Sequence, residues 1–109
     1  MTTTYKVLGQ VAPSANTDTD LYTVPGSTQT VVSTLVICNQ NATNITYRVA
    51  VRPAGAAIAT KHYIEYDVML PPNSSDSLTL GLSLAATDVV TVRSNTTNVS
   101  FNLSGAELT

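Results

Sequence analysis

The sequence predicts an all-β fold, an antiparallel two-sheet β-sandwich, Ig-like or jelly-roll-like, of about eight short strands. Three observations carry that expectation. Apolar and polar residues alternate with a period of two along most of the chain, whereas helical periodicity is nearly absent. Turn-forming residues interrupt the alternation roughly every 8–12 residues, the spacing of a sandwich. Finally, only 11% of the 109 residues are charged, and 36 are Thr, Ser or Asn, a composition foreign to coiled coils and helical bundles.

The elements follow in order. Tyr5 to Val11 reads as the first strand, with residues 1–4 as an extended N-terminal arm, and Leu21 to Val24 as the second. Pro25-Gly26 fits the centre of a type II turn, with Gly26 supplying the positive φ. Val31 to Cys38 is the most apolar strand. Asn39 to Thr43 separates it from Asn44 to Arg52, where Ile45, Tyr47, Val49 and Val51 fall on one face and Thr46, Arg48 and Arg52 on the other. The small apolar segment 53–60 is expected to cross from one sheet to the other. His62 to Leu70 is rich in aromatic and β-branched residues, and the pair Pro71-Pro72 ends it, lacking N–H donors for a ladder. Ser77 to Leu84 sets four leucines on one face, and Val89 to Arg93 and Asn98 to Leu103 complete the set. The loops 85–88 and 94–97 have hairpin length. One domain, residues 1–109, accounts for the chain.

The third strand breaks the pattern. Regular alternation puts Val31, Leu35 and Ile37 on one face and Val32, Val36 and Cys38 on the other, so both faces are apolar. A strand of a two-layer sandwich needs only one apolar face, and the second requires a cover. The N-terminal arm, the 53–60 segment or a neighbouring protomer would each serve. Val31, Val32, Leu35, Val36 and Ile37 are therefore the candidate interface residues. Strand edges point the same way: with only Lys6 and Lys61 to protect them, the domain is expected to work inside an assembly, as a homo-oligomer or with other partners.

Composition also excludes several function classes. Five basic residues and a net charge of −2 leave no electrostatic footprint for nucleic acid or an anionic membrane. The longest apolar run, Leu35 to Cys38, falls far short of a membrane span. No basic segment followed by an apolar run opens the chain, so synthesis in a cytoplasm without a secretion signal is expected. A single cysteine excludes an internal disulfide.

Residues able to do chemistry are few. His62, the only histidine, has no second histidine to complete a metal site, and Cys38 reads as a small buried hydrophobe. Glu65 and Asp67 share a strand face but read as solvated charges. The Asp18-Thr19-Asp20 run lacks the further ligands of a calcium loop. The pattern N-x-S/T occurs at Asn41, Asn44, Asn73, Asn95, Asn98 and Asn102, and the abundance of Ser and Thr inflates that count. No catalytic, cofactor-binding or metal-binding residue is assigned, and no cofactor is expected.

Particular stretches carry a resemblance. Leu21-Tyr22-Thr23-Val24-Pro25, Val31 to Asn39, Tyr47 to Gly55, His62-Tyr63-Ile64, Tyr66-Asp67, Leu80 to Val90, Val99-Ser100-Phe101 and the closing Gly105-Ala106-Glu107-Leu108-Thr109 resemble a family of small virion proteins of tailed bacteriophages, many infecting cyanobacteria and other aquatic bacteria. The resemblance spans the chain from about Tyr5 onward, and its motifs are structural. It implies a β-sandwich that decorates a phage particle: a capsid decoration or cement protein binding the major capsid protein or other virion proteins, and located in the virion. A tail, baseplate or fibre accessory protein acting as an adhesion module is the alternative. A carbohydrate-binding module would instead need Tyr22, Tyr47, Tyr63 or Tyr66 to form a sugar platform.

Overall fold

The chain doubles back on itself, and its strands pair from the outside in. The computed structural model describes residues 2–109 and contains eight strands: β1 (Thr3–Val11), β2 (Thr19–Thr23), β3 (Gln29–Asn39), β4 (Ile45–Arg52), β5 (Tyr63–Leu70), β6 (Ser75–Leu84), β7 (Val89–Ser94) and β8 (Val99–Leu108). β1 pairs with β8, β2 with β7, β3 with β6 and β4 with β5, all antiparallel. The further pairs β3–β8 and β4–β7 join these into two four-stranded sheets, sheet A in the order β1-β8-β3-β6 and sheet B in the order β2-β7-β4-β5. This nested order is that of a jelly roll, so of the two expected sandwich types the Ig-like one is set aside.

Several connections differ from expectation for one reason: loop length does not say whether the chain changes sheets. Segment 53–60 does not cross between sheets. It links β4 to β5, neighbours in sheet B, and contains the 3-10 turn Pro53–Gly55 ahead of a second, Thr60–His62. Conversely, loops 85–88 and 94–97 are not hairpins, since each carries the chain from one sheet to the other. The positive φ after Pro25 falls on Ser27 and not on Gly26. The expected N-terminal arm is not free either. Thr3 and Thr4 belong to β1, opposite Leu108 and Glu107, and Thr2 exchanges two backbone hydrogen bonds with Thr109. Met1, the rest of that arm, lies outside the described residues.

The core sits between the sheets. Ile45, Tyr47 and Val49 of β4 meet Val99, Phe101 and Leu103 of β8, all buried, and the Tyr47 and Phe101 rings pack edge to face at 6.3 Å. The half-buried leucines of β6 close one side of this core.

β3 departs from regular alternation at a β-bulge. Between Val32 and Thr34 it carries one residue more than β8, because Val32 stands opposite Gly105 while Thr34 stands opposite Ser104. The extra residue, Ser33, switches the faces of the strand. Val32, Leu35 and Ile37 all point inward and are 0% exposed, whereas Val31, Val36 and Cys38 lie on the outer face. Gly105 makes room for the bulge: a Cβ there would collide with the Val31 carbonyl oxygen.

At the end of the sandwich formed by loops 12–18, 40–44, 71–74 and 95–98, Asn39 ties two connections together. Its buried side-chain amide donates to the carbonyls of Thr43 (3.0 Å), Leu70 (3.2 Å) and Pro71 (2.9 Å), and its Oδ1 accepts from the Asn41 backbone N–H (2.9 Å). Asparagines populate this end because they tolerate left-handed backbone, as at Asn16, Asn73 and Asn98. Five of the six N-x-S/T asparagines lie in or beside these loops, so turn chemistry accounts for much of that motif count.

Gly105→Ala is expected to cost about 2–3 kcal/mol, lowering the melting temperature by roughly 10 °C or more, because the carbonyl it strikes belongs to β3, a strand paired on both sides. Gly26→Ala, with open space around its Cβ position, leaves the melt nearly unchanged. In urea titrations Asn39→Ala should cost about 2–4 kcal/mol, since three carbonyls and an N–H lose one partner together.

Candidate docking surface

The two outer faces of the sandwich differ in charge. On sheet B, Arg48 of β4 stands beside Arg93 of β7, and each guanidinium meets a carboxylate: Arg48 with Asp67 at 2.6 Å, Arg93 with Asp18 at 3.5 Å. Arg52 completes the row, bonding Asp20 (2.9 Å), the Thr91 hydroxyl (3.0 Å) and the carbonyls of Gly55 and Ala56. Sheet A presents Tyr5, Val7 and Gln10 on β1; Ser100, Asn102, Ser104 and Ala106 on β8; Val31, Ser33, Val36 and Cys38 on β3; and Ser75, Ser77, Thr79 and Ser83 on β6. None of these is charged. The charged residues of sheet A face the other way: Asp76 accepts from the Tyr47 hydroxyl across the sandwich (2.9 Å), and Lys6 pairs with Glu107 (3.2 Å).

The neutral face also holds the most exposed apolar groups of sheet A. Tyr5, Ala106, Val31 and Ser83 form one row across its four strands, and Val7, Ser104, Thr34 and Thr79 the next. Tyr5 is 83% exposed, Val7 57% and Val31 42%, and with Ala106, Gly105, Ser33, Ser104 and Lys6 they line a shallow open groove, the Lys6 ammonium at its edge being turned to Glu107. Exposed apolar groups gathered on a charge-free face make this the candidate docking surface.

The candidate interface of the sequence reading is therefore corrected. Val32, Leu35 and Ile37 are core residues that no partner can reach, and only Val31 and Val36 remain on the outer face. Tyr5 and Val7 were missed, although their alternation around Lys6 in a strand is the signal that could have found them. Among the described residues, neither the N-terminal ones, which belong to sheet A itself, nor segment 53–60, which links two strands of sheet B, cover this face. Cys38 is half-buried on it and is not a core thiol.

The other singled-out residues have structural partners. His62 ends the second 3-10 turn, buried, and its Nδ1 accepts the Ala59 N–H at 3.0 Å. Glu65 and Asp67 do not share a face as expected. β5 is bulged twice, Asp67 has a φ of 49°, and it turns out to Arg48 while Glu65 stands opposite Val49. The Arg48 guanidinium holds the Asp67 carboxyl below the usual carboxylate range. Asp88 accepts the N–H groups of Ala54 and Ala85, both at 2.9 Å. Six of the seven carboxylates are thus engaged with arginine, lysine, tyrosine or backbone. Tyr22 and Tyr47 are buried, and Tyr63 and Tyr66 meet at 81°, so these tyrosines form no flat sugar platform. Among the described residues no three His, Cys, Asp or Glu side chains are grouped to hold a metal ion, and no helix is long and apolar enough to cross a membrane.

A polar network closes the sandwich beside the groove. The Tyr22 hydroxyl on β2 donates to Glu107 Oε2 on β8 (2.5 Å) and lies 2.8 Å from Thr30 Oγ1 on β3. Burial, then the bond to Glu107, pushes the Tyr22 phenol up to about 12, and the same bond, helped by Lys6, holds the Glu107 carboxyl below its ordinary range. Above pH 10 the unfolded phenol ionises while the folded one keeps its proton, so stability should fall as pH rises from about 10 to about 12. On the acid side, the contribution of Glu107 is present above the ordinary carboxylate pKa and lost as pH falls through its lowered folded value. Melting temperatures across both ranges should vary less in Tyr22→Phe than in wild type. Tyr47, raised by burial and by Asp76, retains its own alkaline share in that variant.

No protein-family model matches this chain, and no curated protein matches it. A search of solved structures finds a match with a chain of the structure of infectious bursal disease virus Gx strain, at a TM-score of 0.52 and 9% identity. The match covers 97% of this chain and 32% of that one, so the present chain spans about a third of its neighbour's length. At that identity the likeness is one of fold: the whole sandwich recurs as a part of a larger viral chain.

Proposed function

We propose that this protein is a structural component of a tailed-phage virion, a capsid decoration or cement protein that binds the assembled head. The observation that carries the reading is the outer face of sheet A, four strands wide, without a charged side chain and with Tyr5, Val7 and Val31 exposed on it. Interface centres are depleted in charge and rich in such groups. A solvent-facing sheet would ordinarily carry charge, as sheet B does.

Two further points support a building piece over a catalyst. Its carboxylates are largely held in structural pairs, and its one histidine is buried with Nδ1 engaged by a backbone N–H. The fold likeness to part of a viral chain, and the resemblance to phage virion proteins, agree with it. Many weak contacts repeated around a closed shell would reinforce one another through effective concentration. The major capsid protein is the partner this reading names.

Gold-labelled antibody against the protein, applied to purified particles, should mark the heads in electron micrographs. Label confined to tails would replace the decoration role with the tail or fibre role. Particles without label, and without the chain in their protein content, would overturn the virion reading.

A further inference from the structure

We infer that the charge-free outer face of sheet A is a self-association surface, and that its occupant is a second copy of this chain packed back to back about a two-fold axis. The inference rests on the building-piece reading above and narrows it: a second copy takes the outer face of sheet A, the major capsid protein meets the rest of the surface, and the association stands or falls separately from the particle assignment.

Charge is the first argument. In a two-fold contact a group near the axis meets its own image, so a charge at the centre of the patch meets a like charge, while a group away from the axis meets a different residue of the same face. Sheet B is poorly suited to that: Arg48 and Arg93 are adjacent on its two central strands, so an axis through its middle sets these ion-paired arginines against their images. The outer face of sheet A has no charge to repel its image. Its Ser, Thr and Asn hydroxyls and amides both donate and accept, so they can pair with themselves in any of several registers.

Size and shape supply the second argument. Four strands about 4.8 Å apart and about ten residues long at roughly 3.3 Å each give a face of about 600 Å² in plan. Side-chain relief adds to this, bringing it near the roughly 800 Å² per partner of a stable interface. Small side chains dominate the face, so two copies can approach to ordinary sheet-packing distance, with the Tyr5 and Val7 side chains at one corner as the larger anchors. The competing apolar patch, Ile64, Tyr66 and Met69 on the β5 edge, lies on a twice-bulged strand beside the Arg48–Asp67 pair. Bulging and charge both disfavour it as a self-contact.

Ile64, 41% exposed, is a matched control for Val31, 42% exposed. Sedimentation equilibrium of the purified full chain, from low to high micromolar concentration, should give a dimer for wild type and for Ile64→Asp. Tyr5→Asp and Val31→Asp should each weaken the dimer roughly tenfold or more, because each buries a carboxylate against a face that offers no cation to pair with it. Tyr5 is so exposed that its replacement leaves the monomer's far-ultraviolet spectrum and urea midpoint close to the wild-type values, which separates lost association from lost folding. A wild-type protein that stays monomeric throughout overturns the inference, and so does a dimer broken by Ile64→Asp but not by the other two. A monomeric protein still found on particles would remove the self-association and keep the virion role. A dimer absent from particles would do the reverse.

Discussion

Gly105 has no side chain, so the Val31 carbonyl can lie against it, and this close approach lets β3 hold one residue more than β8 between Val32 and Thr34. The inner and outer faces of sheet A both depend on that contact. With the bulge, Val32 joins Leu35 and Ile37 in the core in spite of the odd spacing between them. Without it, either Val32 or the Leu35–Ile37 pair would face water, at a cost of about 1.5–3 kcal/mol for each fully exposed side chain. The same shift moves Val31 outward into the row it forms with Tyr5 and Ala106. One backbone irregularity therefore completes the interior and lays out the exposed apolar surface.

Electrostatics divides the molecule along the same plane. Sheet B keeps its arginines outside, each neutralised by a carboxylate, with Arg48 4.2 Å from the Tyr66 ring centre as well. Sheet A turns its charged groups inward or to its edge, where two tyrosines of sheet B reach across to meet Asp76 and Glu107. These tyrosine–carboxylate links span the sandwich at two places. They satisfy groups that would otherwise be stranded at the core margin, and they leave the outside of sheet A neutral.

Strand existence and inward faces were legible wherever alternation runs unbroken. Ile45, Tyr47 and Val49, and likewise Val99, Phe101 and Leu103, point inward as their spacing requires. The faces of β3 and β5 were not legible, because bulges at Ser33, and near Asp67 and Ile64, invert the period without any change in composition. Glycine inside a strand does hint at close backbone approach, and Gly105 was the available signal. The order of strands lay out of reach, since a four-residue loop has the same composition whether it turns within a sheet or bridges two. The docking face was half legible: Val31 and Val36 stood out as apolar. The neutrality of their surroundings emerges only once β1, β8, β3 and β6 are set side by side.

The nested pairing also governs how the fold can be made. Lys6 and Glu107 lie 101 residues apart in sequence yet bond across the outermost pair of strands, and only β4 and β5 are both consecutive and adjacent. The innermost pair, β4 and β5, encloses the shortest loop, and each pair outward from it encloses a longer one. Closure entropy grows slowly with loop length, about 0.6 kcal/mol per doubling, so the thermodynamic burden is small. The kinetic burden is larger, as it is for β proteins dominated by non-local pairing. On a ribosome, sheet A stays unfinished until β8 has emerged. Until then β3 lacks one of its two neighbours, and Leu35 and Ile37 lack Leu103 and Phe101 beside them. A nascent chain of this design therefore carries its most apolar strand with one edge unpaired until the last strand is made.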